Sequence, residues 1–195
     1  MFVLDKTSEY VLKQKLQLFH GLFSKSKLQS HSLEELLYES IKTSPNYRNK
    51  IVWKSGSHFP DYDYIIEGSQ YIEVKSGTTN SKEKVIISSH RLTRFNSDFN
   101  QINSFLRNKL TTQIISMEYD EANKRYIIRY FDSRYLKPES NIKMWVPQTD
   151  KKGILARYEQ TNKYNVILKI YIKMSWQLWL EIPTSLVHQT QIINY

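Results

Sequence analysis

The chain has 195 residues, no cysteine and a formal net charge of +9, with 28 Lys and Arg against 19 Asp and Glu. Its length suits one domain around one substantial core. The lack of cysteine excludes disulfides, thiolate metal sites and cysteine nucleophiles, and fits a reducing cytoplasm. The apolar runs are too short to span a bilayer, residues 1–5 lack the pattern of a secretory leader, and no internal repeat stands out. The positive surplus favours a polyanionic partner, because cations that neutralise phosphates release condensed counterions. A solvated basic surface without such a partner is the alternative.

Residues 7–24 carry Leu12, Leu16, Phe19 and Phe23 at i, i+4, i+7 and i+11, the spacing of an amphipathic helix. This stripe is core or a dimer surface. Ser32-Leu33-Glu34-Glu35 fits a capping box, in which Ser32 bonds to the Glu35 N–H and Glu35 reaches back. A second helix is expected over 32–43, stopped by Ser44-Pro45. Its buried stripe is Leu33, Leu36, Leu37 and Ile41. Ile51-Val52-Trp53 reads as a short strand. His20 and His31 stand isolated and read as structural or solvent-facing.

Residues 57–77, SHFPDYDYIIEGSQYIEVKSG, read as two strands joined at Glu67-Gly68-Ser69, where glycine supplies a positive φ without strain. Side chains alternate faces along a strand. Glu73 and Lys75 therefore share one face, while Ile72 and Val74 turn to the core. Asp61 and Asp63 share a face of the first strand. With a three-residue turn, Asp63 lies opposite Glu73 and Asp61 opposite Lys75. Ser57 and His58 either shape the turn or touch a ligand. Two or three carboxylates and one ammonium thus converge. Such a set suits a hard divalent ion, and Mg²⁺ takes only one or two carboxylates beside waters and a substrate phosphate. The plain alternative is a surface Glu–Lys pair, worth at most about 1 kcal/mol.

Pro60-Asp61, eleven residues, then Glu73-Val74-Lys75 resembles the signature of the PD-(D/E)XK nuclease superfamily, which includes many type II restriction endonucleases. The motif covers about a tenth of the chain. The small residues Ser76-Gly77 after the lysine add to the likeness. The resemblance implies that Asp61 and Glu73 are metal ligands, with the Val74 carbonyl as a further ligand, and that Lys75 acts on the attacking water. Asp63 is a rival to Asp61 on the same face, and only Pro60 favours Asp61. Relatives often carry one more acidic residue on a helix before this hairpin. Glu34, Glu35 and Glu39 are the candidates; Glu35 is needed for the cap, and Glu34 borders the buried stripe, so Glu34 is preferred.

Beyond Gly77, residues 78–84 read as a polar loop and Val85-Ile86-Ile87 as a buried central strand. Ser88 or Ser89 is expected to cap a helix over 89–107, with Leu92, Phe95, Phe99, Ile102, Phe105 and Leu106 inward. Its N-terminus, with Ser89, His90, Arg91 and Arg94, would offer a phosphate site on DNA. A second hairpin is expected over 111–119 and 124–131, a strand over 142–146, and a turn at 148–153. A third hairpin is expected over 154–158 and 164–172, with a polar, basic tip. A last strand over 176–182 precedes a polar tail. A two-stranded ribbon fits the major groove, so residues 142–175 are a candidate target-reading region.

The expected fold is α/β or α+β: a mixed central sheet flanked by helices, with the 58–77 hairpin in its middle and extra hairpins in the C-terminal half. The expected activity is Mg²⁺-dependent, sequence-specific cleavage of double-stranded DNA by a homodimeric type II restriction endonuclease. A repair, junction or transposition nuclease of the same superfamily and a non-cleaving DNA-binding subunit are the alternatives. No RNP-like aromatic motif or GXXG loop favours RNA.

Overall fold

Hydrophobic alternation and helical periodicity sort the chain into α1 (Lys6–Leu22), α2 (Ser30–Thr43), β1 (Ile51–Trp53), β2 (Tyr64–Ile66), β3 (Gln70–Thr79), β4 (Lys84–Arg91), α3 (Phe99–Asn108), β5 (Gln113–Asp120), β6 (Arg125–Asp132), β7 (Val146–Thr149), β8 (Leu155–Thr161), β9 (Ile167–Tyr171), β10 (Gln177–Pro183) and β11 (Gln189–Asn194). The structure is a computed structural model that describes residues 1–23, 28–53, 62–173 and 175–195. The described chain divides into two compact units. The first comprises Met1–Ser76, Leu110–Phe131 and His188–Tyr195; the second comprises Gly77–Lys109 and Asp132–Val187.

In the first unit the strand order is β1-β2-β3-β5-β6-β11. β3 and β5 run parallel, with Val74 beside Ile115, whereas β1–β2, β2–β3 and β6–β11 are antiparallel. The sheet is therefore mixed, and β3 is an interior strand of it. One core joins Leu12 and Leu16 of α1, Leu33, Leu37 and Ile41 of α2, and Ile72, Val74, Ile115 and Ile128 of the sheet. The side chain of Asp5 caps α1, accepting the Ser8 N–H at 2.8 Å. The same carboxylate accepts from Asn46 Nδ2 at 2.9 Å and from the Ser44 hydroxyl. The start of α1 is thereby tied to the end of α2, and these bonds hold Asp5 below the usual carboxylate range against the burial that raises it.

In the second unit the end of β3, then β4, β10, β9, β8 and β7, pair antiparallel in that order. Val85, Ile87, Leu168, Ile170, Leu178, Leu180 and Ile182 are buried, alternating with half-buried neighbours as a sheet with one covered face requires. α3 adds Ile102, Asn103 and Leu106 to the buried set.

Several elements differ from the sequence expectation. α2 starts at Ser30 behind Gln29, which makes no side-chain cap. Ser32 lies inside the helix, so the capping box does not form; Leu28 is 4 % exposed, and its burial sets the chain's entry into the helix. β3 runs to Thr79 instead of yielding to a loop, because residues 77–79 pair with β4. The expected helix over 89–107 begins only at Phe99. Ser89, His90 and Arg91 lie on β4, where Arg91 pairs with Gln177 and Gln177 Nε2 donates to Ser88 Oγ at 2.6 Å. The α3 cap is Asp98, whose Oδ1 accepts from the Asn100 and Gln101 N–H groups at 2.9 and 3.2 Å. The carboxylate bonds two of the four orphan amides and suits the positive end of the helix dipole. Residues 142–144 form a 3-10 turn, and the strand follows as β7 at Val146–Thr149. The polar tail forms β11 against β6.

Candidate active site

The first unit carries the acidic constellation. β2 and β3 are joined by Glu67-Gly68-Ser69, with Ile66 beside Gln70 and Tyr64 beside Ile72. Glu67 and Gly68 take positive φ of 53° and 72°; only glycine does so without strain. The Asp63 N–H donates to the Ile72 carbonyl at 2.8 Å, which ties the residue before β2 to β3 next to Glu73. Ile72 and Val74 are buried in the core. Glu73, on the other face of β3, is only 2 % exposed. Lys75 Nζ lies 3.1 Å from Glu73 Oε1, as the i,i+2 alternation requires.

Asp63 is drawn inward by the backbone. Its Oδ2 accepts the Val74 N–H at 2.7 Å. The N–H and C=O of one strand residue point to the same edge, so the Val74 carbonyl faces the edge that Asp63 approaches. Asp61, Pro60, Ser57 and His58 lie outside the described residues. Asp63 is therefore the described carboxylate of the first strand that joins Glu73 and Lys75.

α2 contributes Glu34. Its carboxylate is pushed up to about 7, first by burial and then by the negative charges of Asp63 and Glu73, with Lys75 opposing them. That coupling groups Glu34 with the hairpin carboxylates. Of its two rivals, Glu35 is exposed and Glu39 half-buried. The helix is fastened here by two contacts absent from the sequence reading. The buried Tyr64 hydroxyl donates to the Glu34 carbonyl, and the Ser30 and Ser76 hydroxyls are 3.0 Å apart. Tyr64 and Ser76 hold positions of β2 and β3 whose alternation faces the core, where sequence pattern signals packing rather than polarity. His31 Nδ1 is 3.9 Å from Glu34 Oε2 at the solvent margin.

Lys75 is pulled down by burial, but Glu73 and then Asp63, with a smaller contribution from Glu34, more than reverse this and hold it above the ordinary lysine value. It is an ammonium at neutral pH. It can donate to a water or a phosphate oxygen, and it cannot take a proton while the carboxylates stay charged around it.

Among the described residues, no group of three or more His, Asp or Glu side chains is close enough, as placed, to hold a metal ion. Glu73 is engaged by Lys75 and Asp63 by the Val74 amide. The donor set nevertheless fits a hard ion: it is all oxygen, it includes the one or two carboxylates that Mg²⁺ takes, and burial together with the charges of Asp63 and Glu73 raises Glu34.

The residues expected at a helix N-terminus occupy a different setting in the second unit. Lys109 Nζ donates to His90 Nε2. The Arg94 guanidinium lies 4.5 Å from the Phe105 ring centroid and 4.8 Å from that of Phe95. The Asp98 carboxylate fills the helix end where a phosphate was expected. At the tip of the β8–β9 hairpin two polar side chains are structural, while Thr161 and Lys163 are exposed. Gln160 and Asn162 are buried; Gln160 Oε1 accepts the Glu139 N–H at 2.6 Å, and Asn162 Nδ2 donates to the Tyr135 and Lys137 carbonyls at 2.8 and 2.9 Å. These two side chains are unavailable to base edges.

Comparison with protein-family models, with curated proteins and with solved structures finds no match to this chain. Among the described residues, no helix is long and apolar enough to cross a membrane.

Proposed function

We propose that the chain is a Mg²⁺-dependent DNA endonuclease of the PD-(D/E)XK type, built on a restriction-endonuclease-like fold and cutting duplex DNA at a defined sequence. The observation that supports this most is the buried Glu73 paired with Lys75 on an interior strand, with Asp63 beside Glu73 and Glu34 coupled to both. A solvated surface pair would not be buried in this way, and burying charges without a task is costly. Asp63 or Asp61, Glu73 and the Val74 carbonyl would hold the ion, with Glu34 at its margin. When bound, Mg²⁺ neutralises charge on the scissile phosphate and acidifies a coordinated water. Lys75, kept protonated, donates to the phosphate or orients the attacking water. The +9 surplus supplies attraction to the DNA backbone, and the exposed Arg91 and Arg94 are phosphate contacts from a strand end and a turn.

Incubation of the purified protein with plasmid DNA, with and without Mg²⁺, tests this reading. Discrete fragments that require Mg²⁺ support it. Cutting confined to branched or damaged DNA moves the protein to the structure-specific nucleases of the same superfamily. Binding without Mg²⁺-dependent product sinks the enzymatic reading.

A further inference from the structure

β5 runs parallel to β3 and sets Ser116 beside Lys75, next to the pair Val74 and Ile115. Val74 and Ile115 belong to the core shared with α1 and α2. By alternation Ser116 and Lys75 therefore take the opposite face, the one that carries Glu73. Ser116 is fully buried, and its Oγ has no hydrogen-bond partner among the described residues. The rest of the strand around it, Ile114, Ile115 and Met117, is apolar and buried. A buried hydroxyl without a partner is costly, and alanine would fill nearly the same space without that cost. The arrangement with Lys75 on Glu73 leaves this hydroxyl unused.

We infer, resting on the nuclease reading, that Ser116 is a positioning residue for Lys75, its hydroxyl accepting from the ammonium when Glu73 turns its carboxylate to a divalent ion. An ammonium has three N–H donors, and the Glu73 carboxylate takes one. Glu73 serves each cation less well when it serves both, so Lys75 gains from a second acceptor on the same face. Neighbouring strands lie about 4.8 Å apart, a span that the flexible four-carbon stem of lysine crosses. Anchored on Ser116, the ammonium keeps one direction toward a water or phosphate oxygen instead of following the Glu73 carboxylate.

Comparison of Ser116→Ala with the wild type tests this. Without Mg²⁺, thermal unfolding is expected to show Ser116→Ala at least as stable as the wild type, because the orphan hydroxyl is gone. With saturating Mg²⁺ the order is expected to reverse. In ¹H–¹⁵N spectra of the lysine ammonium groups, the Lys75 signal is assigned by its absence from Lys75→Met. It is expected to persist in the wild type when Mg²⁺ is added, and to fade in Ser116→Ala through about tenfold faster solvent exchange. The kcat for DNA cleavage is expected to fall about tenfold with KM unchanged. A Ser116→Ala protein less stable than the wild type both with and without Mg²⁺, with the Lys75 signal alike in the two proteins, overturns the proposal and leaves Ser116 a packing residue. Mg²⁺-dependent cleavage with equal kcat in both proteins overturns this proposal alone. A wild type that neither cleaves DNA nor gains stability from Mg²⁺ overturns the nuclease reading and this proposal with it.

Discussion

The Asp63 carboxylate accepts the Val74 N–H at 2.7 Å, so the residue leading into β2 is tied to the backbone between Glu73 and Lys75. The bond makes Asp63 a structural and an electrostatic part of the site at once. Two substitutions separate these roles. Asp63→Asn keeps an oxygen that accepts from Val74 and loses the charge. Asp63→Ala loses both. Thermal unfolding is expected to show Asp63→Ala less stable than Asp63→Asn by about 1–2 kcal/mol, while both lose Mg²⁺-dependent cleavage. Full cleavage by Asp63→Asn, with none by Asp61→Asn, would transfer the metal-ligand role to Asp61.

Lys75→Met leaves the buried Glu73 without its cation. Breaking a buried pair from one side costs on the order of 3 kcal/mol. The loss is expected to shrink as pH falls, since protonating Glu73 removes the uncompensated charge. Denaturant titrations of wild type and Lys75→Met across pH check this. Cleavage is expected to drop about 10²–10³-fold, as for the loss of one preorganised donor.

Glu34 gives the site a pH signature. Its folded carboxyl, raised to about 7 from an ordinary 4.5, keeps a proton that the unfolded chain has released. The folded state binds more protons in that window, so Glu34's contribution is most favourable below about pH 4.5 and is lost as pH rises through about 7. Glu34→Gln is expected to flatten this part of the stability profile and to raise stability above neutrality, by on the order of 1–3 kcal/mol. Added Mg²⁺ is expected to stabilise the wild type more at high pH than at low. A stability profile that Glu34→Gln leaves unchanged contradicts the coupling.

Tyr64 holds α2 beside the hairpin through its hydroxyl on the Glu34 carbonyl. Tyr64→Phe preserves the packed ring and removes that bond. It is expected to cost about 1 kcal/mol and to reduce cleavage modestly with the Mg²⁺ requirement intact, whereas Asp98→Ala, which costs a similar amount through the α3 cap, is expected to leave cleavage unchanged. Thermal melts and initial cleavage rates of the two variants make the comparison.

Much of the first unit was legible because its signals are local. The i,i+2 placement of Glu73 and Lys75, the glycine turn and the Leu12–Leu16 stripe each follow from a period and one turn residue. The preference for Glu34 rests on its place on a helical wheel, and the charges of Asp63 and Glu73 that reach it are not legible in the local pattern. The second unit was read less well because its elements depend on distant partners. Ser88 and Ser89 look like helix caps, yet pairing with β10, some ninety residues away, holds them in a strand. Gln189–Asn194 is polar and lacks a strong pattern, and only β6 makes it a strand. Gln160 and Asn162 look solvated until the carbonyls of residues 135–137 and the amide of residue 139 are seen to take their hydrogen bonds.

Glu73 is the residue on which the metal-site account turns. Single-turnover cleavage of a DNA duplex in Mg²⁺, comparing the wild type with a folded Glu73→Gln protein, tests it most directly. Rapid wild-type cleavage that vanishes with Glu73→Gln and with chelation of Mg²⁺ is the result expected. Equal cleavage by the two proteins would contradict it.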